Sequence, residues 1–232
     1  MKDCLKVFTG EIELTGHLSL DVTTYLTERG RERTAEHCRF VALQAGQLAL
    51  RWKEDAERAE SAGWLHDISA VVPGKHRLEL AETLGLDILP EERLAPVLVH
   101  QKLSVVIAQE VFFVNDPIIL SAIGCHTTLK SDSSTLDKIV FVADKLAWDQ
   151  AGEPPYYAEI ALALERSLDQ AALVYLEYLW QKRHSLPALH PWELAAYREL
   201  LARYDWSLGT LFSNSFHPAM RGIRPINIFC VI

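Results

Sequence analysis

The chain has 232 residues, 49% of them hydrophobic and 23% charged, and a formal net charge of −8. This composition is globular rather than disordered, and the length suffices for one sizeable core or one domain with an appendage. The acidic balance, without a basic cluster, argues against nucleic acid or an anionic membrane surface as partner, and no apolar run approaches the roughly 20 residues of a membrane span.

Residues 7–20 alternate loosely through Phe8, Ile12, Leu14, Leu18 and Leu20, with Gly10 and Gly16 as turn points. The expectation there is a short hairpin or an irregular entry segment. From Asp21 the period becomes helical and runs to Gly30. Thr34 to about Trp52 reads as a strong helix, with Cys38, Val41, Ala42, Ala45, Leu48 and Ala49 as its apolar stripe and His37 at the stripe's edge. Asp55 to about Ile68 is the next predicted helix, opened by acidic residues and ending at the adjacent pair His66-Asp67. Pro73-Gly74 breaks the chain, and residues 75–84 read as an amphipathic helix closed by Gly85.

A helical run from Glu91 to about Gln101 carries His100, and Ser104 to Val111 continues it. Asn115-Asp116-Pro117 is a start signal with Pro at the first helical position. The helix that follows places Ile119, Ala122, Ile123 and His126 on one face. Leu136 to Trp148 is helical again and puts Asp144 on a stripe with Leu136, Val140, Ala143 and Ala147. Tyr156 to Arg183 supplies one or two helices, and Leu194 to Tyr204 one more. Nearly every segment has helical period, so the predicted fold is all-α. The end, Ile226 to Ile232, is short, apolar and β-prone; it reads first as a loosely attached tail without a role, and otherwise as a segment laid in a groove of the core or paired with a strand, for which the Phe8–Leu14 stretch is the candidate.

Cys4, Cys38, Cys125 and Cys230 form no CxxC motif, so neither a zinc ribbon nor a redox pair is expected. Without a signal peptide or a disulfide framework, the expected compartment is the reducing cytoplasm. The chemistry lies in His37, His66, Asp67, His100, His126 and Asp144, six metal-type residues on inward helical faces. Four histidines and two aspartates exceed what one catalytic metal takes from a protein. They suit two metals, with Asp67 as the natural bridge and His66-Asp67 at the catalytic heart. Such ligands suit iron, zinc, manganese, cobalt or nickel, and a two-metal centre activates water against phosphorus. Lys75, His76, Lys102, Lys130 and Lys145 are the candidate phosphate contacts, although Lys145 is expected to point away from Asp144. His17, His184, His190 and His217 are assigned no role.

The set AEHC, GWLHDIS, LVHQKLS, SAIGCHTT and FVADK, in this order, resembles the HD-domain superfamily of metal-dependent phosphohydrolases. Within it the pattern is most similar to the bacterial YqeK-type proteins, the symmetrical diadenosine tetraphosphatases. The resemblance spans roughly residues 20–180. It implies a helical bundle, a di-iron-type centre on the same six residues (manganese, cobalt or zinc being the alternatives), and cleavage of diadenosine tetraphosphate to two ADP. The expected domain runs over residues 18–185, with a C-terminal helix and tail, 186–232, of unknown role. A nucleotide substrate and a homodimer are the partners considered. Another HD-type nucleotidase or phosphodiesterase, or a nucleotide sensor with little turnover, are the alternatives. Two departures concern phosphate contacts: Ala70 stands where such enzymes often carry lysine, and AWDQAGEPPY replaces an arginine-bearing stretch.

Overall fold

A computed structural model describes residues 2–148 and 152–204. Among these residues there are α-helices and 3₁₀ turns but no strand, so the chain is all-α as its periodicity predicts. The centre of the bundle is α3 (Glu32–Trp52), whose buried stripe is the expected Cys38, Val41, Ala42, Ala45, Leu48 and Ala49. Packed on it are α4 (Ala56–Leu65) and α9 (Thr135–Leu146), which also touch each other. Gly63 makes the α3–α4 approach possible. A Cβ there would lie 2.6 Å from Ala42 Cα and 2.8 Å from Ala42 N.

Ahead of α3 stand α1 (Asp3–Thr9) and α2 (Leu18–Thr27). The N-terminal segment is therefore not a hairpin. Leu5 and Thr9, four apart, are buried on one face of a helix of about two turns, and only residues 10–17 are irregular. The run expected as one helix from Glu91 to Gln101 is also divided. After α5 (Arg77–Thr83), α6 (Pro90–Leu94) stops at Ala95, because Pro96 disfavours a helical residue before it. A 3₁₀ turn, Pro96–Val99, then leads into α7 (His100–Glu110). The bundle continues with α8 (Pro117–Cys125), capped by Asp116 through its bond to Ile118 N–H, and with α10 (Tyr157–Leu164) and α11 (Leu168–Lys182).

The last described helix, α12 (Pro191–Arg203), packs on α11. Its N-cap His190, expected in a loop without a role, is wholly buried, 3.4 Å from Glu92 on α6. The expected boundary at residue 185 falls between α11 and α12, and the His190–Glu92 pair joins the start of α12 to α6. The β-prone end, Ile226–Ile232, lies outside the described residues, as does His217. No helix among those described is long and apolar enough to cross a membrane.

Candidate metal centre

The six residues singled out in the sequence meet in one place. His37 is delivered by α3, His66 and Asp67 by the exit of α4, His100 by the start of α7, His126 by the C-terminal end of α8 and Asp144 by α9. The α4 helix ends at Leu65, short of the predicted Ile68. Asp67 leaves helical geometry at φ −110°, ψ 18°, before a 3₁₀ turn, Ile68–Val71. That break has a purpose. On a continuous α-helix, consecutive side chains point about 100° apart, so two neighbouring ligands could not both face the centre.

The donor atoms form two groups that share Asp67. In the first, His37 Nε2 lies 3.2 Å from His66 Nε2 and 3.1 Å from Asp144 Oδ1, and His66 Nε2 is 3.4 Å from Asp67 Oδ2. In the second, Asp67 Oδ1 is 3.2 Å from His100 Nε2 and 3.4 Å from His126 Nε2, which are themselves 2.9 Å apart. Exposure differs across the centre. The side chains of His66, Asp67, His100 and His126 are at most 4% exposed, whereas His37 is 12% and Asp144 16%. The centre therefore opens on the His37–Asp144 side.

Every histidine ring is oriented through its other nitrogen. His66 Nδ1 meets Gly63 O at 2.7 Å, His100 Nδ1 meets Val97 O at 2.5 Å and His126 Nδ1 meets Ile123 O at 2.8 Å. Each acceptor is a carbonyl three residues back. For His66 and His126 it is one of the last-turn carbonyls that a helix leaves without an internal partner. His37 Nδ1 reaches across to Ala147 O beyond α9, at 3.1 Å. A carbonyl oxygen accepts a hydrogen bond and donates none, so each Nδ1 carries a hydrogen and each ring, when neutral, turns its Nε2 lone pair inward. Lone pairs 2.9 and 3.2 Å apart repel unless a cation or a proton lies between them. Asp67 Oδ1 is buried without a hydrogen-bond donor, although two ring nitrogens face it, as those nitrogens have no hydrogen to give. The residues fit a pair of divalent cations.

Charge agrees with this reading. Burial would raise Asp67, but the charge on the neighbouring His66 holds its carboxyl well below the usual range. Burial would likewise raise Asp144, and Lys145 foremost, then His37 and His66, hold it well below. Burial pushes the His126 imidazole down to about 4, so it stays neutral. Burial alone would lower His66, yet the adjacent Asp67 carboxylate raises it well above its ordinary value.

Supporting residues fix the frame. Ser69 Oγ donates to His100 O and Ser104 Oγ donates to Ser69 Oγ, both at 2.9 Å and both buried, which couples the Asp67 turn to α7. The lysines separate into two kinds. Contrary to expectation, Lys145 does not point away. Its buried ammonium bonds Asp144 Oδ2 and the His126 carbonyl. Lys102 is committed to Glu92 and to Asp87 O, and Lys130 to Ser121 and Asp137. Lys75 is exposed, and His76 packs on the Phe8 ring at 5.6 Å. Ala70 is buried at 1% exposure, so its position is part of the core. Sequence reasoning missed Ser69, Ser104, Gln101 and Thr127, whose hydroxyl lies 3.1 Å from His100 Nε2. Their only signal was a place within one helical turn of a ligand in the sequence.

Residues 34–149, half of the chain, match the family model described as "HD domain". The chain belongs to the HD-domain family. It is 45% identical over 139 residues to a protein of Lactococcus lactis subsp. cremoris known as the uncharacterized protein in pepC 5'region, covering 60% of this chain and 70% of that one. It is 29% identical over 139 residues to the symmetrical bis(5'-nucleosyl)-tetraphosphatase of Bacillus subtilis, covering 59% of this HD-domain chain and 72% of the relative. A crystal structure of an HD superfamily hydrolase, described as involved in NAD metabolism, from Clostridium acetobutylicum superposes with a TM-score of 0.72 at 27% identity. It covers 79% of this chain and 96% of its own.

Proposed function

We propose that this HD hydrolase cleaves nucleotide phosphoanhydrides, and that its substrate is a dinucleoside tetraphosphate split symmetrically into two nucleoside diphosphates. One observation carries the metal-dependent part of this reading. Four rings, each with its Nδ1–H spent on a backbone carbonyl, present Nε2 lone pairs and two carboxylates to one another in two groups that share Asp67. His37, His66, Asp144 and Asp67 Oδ2 would hold one ion, and Asp67 Oδ1, His100 and His126 the other. Two such ions, when bound, would lower the pKa of water toward neutrality and would set positive charge against the phosphoryl group. Iron is the first candidate, with manganese, cobalt or zinc as alternatives.

The chain's own residues do the rest. Asp67 and Asp144 remain ionised because cationic neighbours hold them so. His66, His100 and His126 form a buried floor, and a polyphosphate enters over the more exposed rim that includes His37 and Asp144. The tetraphosphatase name of the Bacillus subtilis relative supports the substrate class.

The test is direct. Protein loaded with iron or with manganese is incubated with diadenosine tetraphosphate, and the products are separated by chromatography. ADP as the sole product is expected. ATP together with AMP would overturn symmetrical cleavage, and binding without turnover would favour a sensor.

A further inference from the structure

We propose that Thr127 binds the phosphate group of the substrate through its side-chain hydroxyl, and that Gln101 is the positioning residue that holds Thr127 in place. The proposal rests on the metal-centre reading above.

Thr127 follows the ligand His126 in the turn that closes α8. Thr128 and Leu129, next in the chain, are buried, while Thr127 remains half-buried and in reach of solvent. Its Oγ1 lies 3.1 Å from His100 Nε2. His100 spends its Nδ1 hydrogen on Val97 O, so Nε2 is the acceptor in this contact and the threonine hydroxyl is the donor. The same lone pair belongs to the Asp67–His100–His126 group. A cation bound there takes it, and the hydroxyl loses its acceptor. A donor left unpaired at the edge of a buried site is costly. The acceptors that the proposed reaction brings to this edge are phosphoryl oxygens.

The hydroxyl is not free to turn away, because its backbone is clamped. Gln101 Oε1 accepts from Thr127 N–H at 3.3 Å, and Gln101 Nε2 donates to Thr128 Oγ1, also at 3.3 Å. Thr128 Oγ1 in turn donates to Leu129 O at 2.9 Å. Gln101 is wholly buried and immediately follows His100. One amide thus locks the turn after His126 to the first turn of α7, and with it the distance between the hydroxyl and the second group of donors. A threonine that served only to buttress His100 would give the same metal-free geometry, but it would act on metal retention rather than on phosphate.

The experiment uses the full chain loaded with manganese and inorganic phosphate as the probe. Metal content, melting temperature and phosphate affinity by calorimetry are measured for the parent, Thr127→Val, Thr127→Ser and Gln101→Leu. Thr127→Val is expected to keep its manganese and its melting temperature and to bind phosphate about tenfold more weakly, the worth of one hydrogen bond to a charged acceptor. Thr127→Ser should restore the affinity, and Gln101→Leu should weaken it by a similar factor. Unchanged phosphate affinity in Thr127→Val overturns the proposal, as does a loss of manganese that accounts for the weaker binding. A parent that binds manganese and phosphate but leaves diadenosine tetraphosphate intact removes the substrate assignment while leaving the role of Thr127 standing. A parent that binds no manganese removes both.

Discussion

Gly63→Ala tests the claim that the metal centre depends on the closeness of α3 and α4. Gly63 is helical, so alanine is intrinsically preferred there by about 1 kcal/mol. The added Cβ, however, would stand 2.6 Å from Ala42 Cα and 3.1 Å from Val41 C, which are backbone atoms that no rotamer change can move. Restoring an ordinary carbon contact of about 3.5–4.0 Å pushes α4 back by roughly 1 Å. Overpacking of this kind costs about 1–3 kcal/mol. Against backbone atoms the upper part of that range, about 2–3 kcal/mol, applies, so with the helix gain subtracted the net loss is about 1–2 kcal/mol, a fall in melting temperature of about 2–8 °C for a domain of this size. The shift carries Gly63 O and His66 with it, since that carbonyl anchors the ring at 2.7 Å. His66 Nε2 then moves off His37, and metal retention by their group should weaken. Gly46→Ala is the internal control. Its Cβ would meet only the Glu60 side chain from Cγ outward, an exposed and flexible chain that can swing aside, so the variant should be close to neutral. Thermal melts and elemental analysis read both effects. A Gly63→Ala protein that melts within 1 °C of the parent and keeps its metal would refute the argument.

Asp67→Ala should strip metal from both groups, whereas His37→Ala should deplete only one; elemental analysis distinguishes these, and equal depletion would exclude Asp67 as the shared ligand. Lys145→Met removes the partner of a largely buried carboxylate. It should lower the stability of the metal-free protein by about 2–3 kcal/mol, allowing for the partial exposure of Asp144. The loss should be smaller in the metal-loaded protein, where a cation compensates Asp144; the same melting-temperature loss in both states would count against this role. Glu193 is raised by burial to about 7 from an ordinary 4.5. Its contribution is therefore fully present below about pH 4.5 and is lost as pH rises through about 7, by up to about 3 kcal/mol. Glu193→Gln should melt above the parent at pH 8, with the gap closing by pH 5; a gap independent of pH would remove burial of the charge as its cause.

The helical class and the six candidate ligands were legible in the sequence, because both are written in spacing. Apolar residues at helical intervals mark which faces turn inward, and a histidine or aspartate on such a face inherits the direction. Local signals could not show where helices stop under tertiary demand. The break after Leu65, which turns His66 and Asp67 to the same centre, occurs in a run whose period reads as continuous. Leu5 and Thr9 form a helix at the N-terminus because there is a core to receive them, although the alternation around them reads as strand. Long-range partners were equally out of reach. His190 looks like a loop residue until Glu92, far back in the chain, is brought against it, and the ammonium of Lys145 is placed by Asp144 and by the His126 carbonyl from another helix. Three of the four histidine anchors are carbonyls three residues back, a relation that sequence could suggest. The fourth, Ala147 O for His37, exists only because α3 and α9 pack together. Periodicity reports direction relative to one helix axis. The distances at which lone pairs, carboxylates and hydroxyls meet are set by how the axes pack, and that was decided by tertiary contacts such as the one at Gly63.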